Sequence, residues 1–102
     1  MERQTVVITG GRGMLGSALV ASAPGESQAV AVDIEDGDIT KLHEARQVVC
    51  SHDPAAVIHC AAYADVDGCT RDPDRAFAVN ARGTANVAIA CQECDCYLLA
   101  IS

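Results

Sequence analysis

Four short runs of nearly continuous apolar residues, at 5–9, 29–32, 56–60 and 97–101, alternate with longer stretches whose apolar positions recur every three or four residues. The short runs predict strands buried on both faces, as in a parallel sheet, and the longer stretches predict the helices that cover it. A first helix is expected from about residue 13 to 22, ending before Pro24 and Gly25. Thr40 is read as the N-cap of a second, which sets Leu42, Ala45, Val48 and Val49 on one face and stops at 51–54. The third opens with Asp72 as N-cap, Pro73 at the first helical position and Asp74 in the first turn. Its buried stripe is Ala76, Val79, Gly83, Val87 and Ala90. This alternation predicts an α/β fold, a doubly wound parallel sheet with about four strands; right-handed crossovers give the expected order 3-2-1-4. No repeat, linker or low-complexity segment interrupts it.

The junction of the first strand and first helix reads Val6-Val7-Ile8-Thr9-Gly10-Gly11-Arg12-Gly13-Met14-Leu15-Gly16-Ser17, with glycines spaced G-x-x-G-x-x-G. A glycine-rich turn is sometimes only a tight loop. After a β-branched strand and before a helix, it predicts the phosphate-binding turn of an NAD(P)-binding Rossmann fold. Gly10 would permit the sharp turn, Gly13 close approach to a pyrophosphate, and Gly16 close packing of helix on sheet, while free amides and the helix dipole face the phosphates. Gly10, Arg12, Gly13, Met14, Leu15 and Gly16 are therefore candidate cofactor-binding residues. Asp33 ends the second strand, 23 residues after Gly10, where an acid can bond both ribose hydroxyls. The residues after it, Ile34, Glu35, Asp36, Gly37 and Asp38, would not hold a 2′-phosphate, so NADH is favoured over NADPH. The competing reading is that Asp33 caps a solvated loop.

Composition narrows the partners. The 102 residues carry a net charge of −7 and a single lysine, Lys41, so no basic stripe suits nucleic acid or an anionic membrane. Half of the residues are hydrophobic but three are aromatic, so Ala, Val and Ile must fill the core of one domain at most. No apolar run is long enough for a signal peptide or a membrane span, and a cytoplasmic location is the default. Cys91-x-x-Cys94-x-Cys96 has partial metal-ligand spacing, without a second C-x-x-C or a nearby His. The alternative for the six cysteines is reduced, mostly buried thiols.

The third strand continues as Val57-Ile58-His59-Cys60-Ala61-Ala62-Tyr63. Beyond the carboxyl end of such a strand small residues let a cofactor slide past, which makes Cys60, Ala61, Ala62 and Tyr63 candidates; close helix packing explains the alanines equally well. His59 reads as a hydrogen-bonded core residue rather than an acid or ligand. Asn80, beside the apolar stripe, either pairs with backbone near the cofactor or lies half exposed.

Together T-G-G-R-G-M-L-G-S at 9–17, D-I-T at 38–40, V-I-H-C-A-A-Y-A-D-V-D-G-C at 57–69, D-P-D-R-A-F-A-V-N-A-R-G-T-A-N-V-A at 72–88 and L-L-A-I-S at 98–102 resemble the N-terminal part of the dTDP-4-dehydrorhamnose reductases. These are extended short-chain dehydrogenase/reductases, and the resemblance spans essentially the whole chain. It implies a cytoplasmic enzyme of nucleotide-sugar metabolism that uses NADH or NADPH to reduce the 4-keto group of dTDP-4-dehydro-6-deoxy-L-mannose to dTDP-L-rhamnose, and it allows a homodimer. It places Gly13, Met14 and Leu15 at the pyrophosphate, Asp33 at the adenosine ribose, Asp38 and Ile39 at the adenine end, and Ala62 and Tyr63 at the middle of the cofactor. Two positions depart from the pattern: Ala64, where relatives carry Thr, and Asp95, where they carry Gly and a left-handed turn is easier.

No catalytic residue is expected in this chain. The superfamily's Tyr-x-x-x-Lys pair is missing, since Tyr63 is followed four residues later by Asp67 and Tyr97 by Ile101. Ser102 would align just before the family's catalytic Thr. The chain is thus expected to be the N-terminal part of a dinucleotide-binding domain, inactive alone, which would meet a nucleotide-sugar substrate through an absent C-terminal part and leave its fourth strand as an uncovered edge. Two other readings stay open: a non-enzymatic NAD(P)-binding regulatory protein like the regulatory subunit of methionine adenosyltransferase, and another nucleotide-sugar epimerase or dehydratase.

Overall fold

The strand β1 (Gln4–Thr9) lies inside a parallel sheet in which Val7, Ile8 and Thr9 are buried, in a computed structural model that describes residues 4–60 and 72–101. After it come α1 (Met14–Ala21), β2 (Ser27–Val32), α2 (Leu42–Cys50), β3 (Ala56–His59), α3 (Pro73–Glu93) and β4 (Tyr97–Ala100). The α/β alternation and the four parallel strands agree with the expectation from the apolar runs.

The strand order does not: it is β2-β1-β3-β4, not 3-2-1-4. The connection leaving β2 crosses back over β1 and lays β3 on its other side. β1 is apolar enough to need a neighbour on each side, whereas β2 begins Ser27-Gln28, exposes Gln28 and Ala31, and suits an edge. Right-handed crossovers running in opposite senses across a sheet put their helices on opposite faces. Hence α1 covers one face over β1 and β2, while α2 and α3 pack together on the other.

On that second face the register aligns Val30, Val7, Val57 and Leu98 across the sheet. Val48 and Val49 of α2 and Val87, Ala90 and Cys91 of α3 close over them. Each fully buried valine here contributes about 1.5–3 kcal/mol of transfer free energy. Arg46 bridges the two helices by donating from Nε and Nη2 to both carboxylate oxygens of Glu93, at 2.7 and 2.8 Å. The α1 face is thinner: in β4, an edge strand of the described sheet, Tyr97 is 83% and Leu99 57% exposed.

Helix ends show which local signals decide. Asp72 caps α3 as expected, its Oδ1 accepting from the Arg75 amide at 3.1 Å, with Pro73 behind it. Thr40 does not cap α2, whose N-cap is Lys41 with no side-chain bond. Instead the Thr40 hydroxyl and amide both donate to Asp38 Oδ1, at 2.7 and 3.0 Å, because a short carboxylate two residues back competes for the hydroxyl. At the end of α3, Asp95 adopts the left-handed conformation (φ 56°) usually given to Gly. The Asp95 amide then reaches Gln92 O and the Cys96 amide reaches Cys91 O at 2.9 Å, a Schellman closure. No described helix is long and apolar enough to cross a membrane.

Candidate functional site

β1 and β3 are adjacent, yet the chain leaves them toward opposite sides of the sheet, so a crevice opens beyond their carboxyl ends. Gly10 makes the exit from β1 with φ 65°, the left-handed region that favours glycine. Its carbonyl accepts from the Gly13 amide at 2.9 Å, which folds the turn back under α1. Gly16 is the packing glycine: a Cβ there would strike Gly10 O and come 2.8 Å from Gly11 Cα. Gly11, which the motif spacing does not single out, is as tightly placed, for its Cβ would collide with Ala31 and lie 2.7 Å from that residue's Cα. The signal that could have found it is the pair of small residues Ala29 and Ala31 on the neighbouring strand.

Gly13 caps α1 with no side chain to offer, so the first-turn amides of Met14, Leu15 and Gly16 have no capping group competing for an anion. Met14 is 94% exposed and Leu15 is exposed as well, which places both at the surface of this turn rather than in the core. Asp33 stands opposite at the end of β2. Its Oδ2 accepts from the Arg12 amide and its Oδ1 from the Ile34 amide, both at 3.1 Å, while its own amide donates to Asp36 Oδ2 at 2.8 Å. The Arg12 guanidinium turns to Glu35 Oε2 at 2.7 Å.

Asp33 and Gly10 wall a crevice of about 160 Å³, open to solvent, with Ile34, Asp38 and Ile39. Its apolar lining comes from Val32, Val48 and Val79, with Asn80 alongside. The 37–40 segment is held from three directions. Glu44 Oε1 accepts from the Asp38 amide at 3.0 Å, Asn86 Nδ2 donates to Ile39 O at 2.9 Å, and Gly83 lets the Ile39 side chain lie against α3. Bonds from the Thr40 hydroxyl and amide hold the Asp38 carboxyl below its usual range, so it is ionised at neutral pH. Asn86 escaped the sequence reading, and Val79 and Gly37 entered it only as a stripe residue and a loop residue, because their place in this wall depends on how α3 docks. Asn80 is half-buried in the wall.

Cys60 sits at the end of β3, its amide bonded to the Thr9 carbonyl at 3.2 Å and to Thr9 Oγ1 at 3.1 Å, and burial raises its thiol pKa. Ala61, Ala62, Tyr63 and Ala64 lie outside the described residues. His59 is a satisfied core residue, as expected: Nδ1 meets Thr9 Oγ1 at 2.6 Å and Nε2 meets Thr84 Oγ1 at 3.0 Å. Burial lowers its pKa, which favours the neutral ring. Among the described residues no group of three or more ligating side chains is arranged to hold a metal.

The donor set fits a dinucleotide, since the crevice beside Asp33 reaches the turn into α1 at Gly10. Helix amides suit a pyrophosphate, the Asp33 carboxylate suits a ribose diol, and the slot between Ile39, Val48 and Val79 suits a flat ring.

Comparison with known proteins points the same way. Residues 4–102 match the family model described as the RmlD substrate binding domain. The chain is 42% identical over 100 residues to a dTDP-4-dehydrorhamnose reductase of Mycolicibacterium smegmatis, covering 97% of this chain and 30% of that protein. Among solved structures, the dTDP-4-dehydrorhamnose reductase of Bacillus anthracis in complex with NADP superposes with a TM-score of 0.84 at 37% identity, over 96% of this chain and 35% of that one. The Clostridium acetobutylicum dTDP-4-dehydrorhamnose reductase gives 0.81 at 30% identity, over 93% and 34%. The chain thus spans about a third of the length of the relatives it matches.

Proposed function

Because the chain belongs to the RmlD substrate binding domain family, we propose that it forms the cofactor-binding part of a dTDP-4-dehydrorhamnose reductase, which reduces the 4-keto group of dTDP-4-dehydro-6-deoxy-L-mannose with NADH or NADPH. The observation that carries this reading is the crevice that runs from Gly10, at the turn into α1, to Asp33, beside a turn in which Gly11 and Gly16 are packed too closely to admit a side chain. When bound, the reduced nicotinamide supplies the hydride. The chain's own residues bind and orient. Amides at Gly13, Met14 and Leu15 neutralise the pyrophosphate, Asp33 accepts from the ribose hydroxyls, and Ile39 with Val48 and Val79 shields the adenine from water. Cys60, Ala61, Ala62 and Tyr63 carry the cofactor toward the sugar. Proton delivery and sugar recognition belong to residues beyond these.

Two features support a preference for NADH. Asp33 offers a negative charge where a 2′-phosphate would sit, and Glu35 occupies the guanidinium of Arg12, whose amide bonds Asp33. The test uses the intact protein: titration with each dinucleotide, then turnover of the 4-keto sugar nucleotide followed by the nicotinamide absorbance. Binding with turnover is expected. Binding without turnover of any sugar nucleotide would replace the reductase reading with a regulatory one, and absence of dinucleotide binding would refute the site itself.

A further inference from the structure

We propose that Cys94 and Cys96 form a redox-active dithiol at the end of α3, a modification site for small-molecule disulfides. Their Sγ atoms lie 3.9 Å apart across Asp95, and both residues are half-buried, within reach of solvent. The Schellman closure produces this pairing. The Cys96 amide bonds Cys91 O and Asp95 takes φ 56°, which bends the chain so that residues 94 and 96 approach within the reach of a disulfide.

The other thiols nearby are less available. Cys91 is 2% exposed in the core, and the Cys50 thiol donates to Ala90 O at 3.4 Å. Burial raises the thiol pKa of Cys50 and of Cys96 alike, so pKa does not separate them. Cys60 stands at the opposite end of the sheet, at the carboxyl terminus of β3, whereas Cys96 precedes the start of β4. Among the described residues the 94/96 pair combines a sulfur–sulfur contact of 3.9 Å with partial exposure of both residues.

The chemistry balances without a metal or cofactor. A thiolate of the pair attacks one sulfur of the small disulfide, expelling one small thiol and leaving a mixed disulfide. The second cysteine sulfur then attacks the protein-bound sulfur and expels the other small thiol. The protein loses two hydrogens, and the small disulfide is reduced to two thiols. Because the turn lies at the amino-terminal end of the strands, away from the crevice, dinucleotide affinity should not change.

The test incubates the protein, without denaturant, in hydroxyethyl disulfide, a neutral probe chosen because Glu93 and Asp95 make the surroundings acidic. Intact mass and peptide mapping follow. The expected product has lost two titratable thiols and carries a Cys94–Cys96 link. Cys94→Ser or Cys96→Ser abolishes the link, and Cys50→Ser leaves it. Retention of all thiols, a stable mixed disulfide, or a principal cross-link through Cys50, Cys60, Cys69 or Cys91 would overturn the proposal.

Discussion

Replacing Glu35 with Gln should shift cofactor preference toward NADPH. In the native chain the Arg12 guanidinium donates to Glu35 at 2.7 Å, and both side chains are more than half exposed, at 61% and 64%. An exposed pair of this kind contributes about 0–1 kcal/mol, so its loss barely affects folding. The effect on binding is larger. A charged hydrogen bond to a phosphate is worth about 1.5–3 kcal/mol, part of which is lost to solvent screening at so open a site and to ordering the freed side chain. Asp33 remains and still repels the phosphate. The net gain for NADPH is about 1–2 kcal/mol, or roughly five- to thirtyfold in Kd. NADH, with no 2′-phosphate, should change less than about twofold. The assay measures both dissociation constants by fluorescence titration for wild type, E35Q and the double variant R12Q/E35Q, in which the gain should vanish. An unchanged NADPH/NADH ratio in E35Q, or a gain that survives the loss of Arg12, would refute the reasoning.

Other predictions follow from the same geometry. Gly16→Ala forces a Cβ onto Gly10 O and Gly11 Cα, so thermal unfolding should show a loss of about 1–3 kcal/mol or more, and dinucleotide affinity should fall with it; an unchanged Tm would contradict the packing. Asn86→Ala removes the bond to Ile39 O, costs about 1 kcal/mol, and should weaken dinucleotide binding more than it lowers Tm. His59 has a lowered folded pKa, so the unfolded chain takes up a proton first, and stability declines as pH falls through about 6.5 toward the folded value. Urea midpoints should show that decline in the wild type and a shallower one in His59→Asn; equal slopes would remove His59 as its source. The 102-residue polypeptide alone should self-associate through β4, whose Tyr97 and Leu99 are exposed, and a monodisperse monomer in sedimentation at about 100 μM would count against an open edge.

The elements and the glycine turn were legible because their causes are local. A short apolar run bounded by turn residues signals a strand, Asp72-Pro73 starts a helix whatever surrounds it, and Gly10 makes the turn out of β1 from its own backbone freedom. The position of Asp33 at the end of β2 follows from counting residues. What the sequence left open are choices between partners that are equally near in chain terms. Thr40 could cap α2 or bond Asp38, and only the folded loop selects the second.

Strand order depends on the direction in which α2 carries the chain back across the sheet, and β3 reads the same beside β2 or beside β1. The Arg12–Glu35 pair spans 23 residues, Asn86 reaches Ile39 across 47, and Cys50 arrives beside the α3 thiols only when two helices pack. Sequence alone therefore determined which segments are strands and helices, and where the glycine turn after β1 falls, because backbone conformation and burial pattern are properties of neighbours along the chain. Tertiary structure alone decided the order of the strands, the walls of the crevice and the pairing of Arg12 with Glu35, because those depend on which surfaces meet once the crossovers are made.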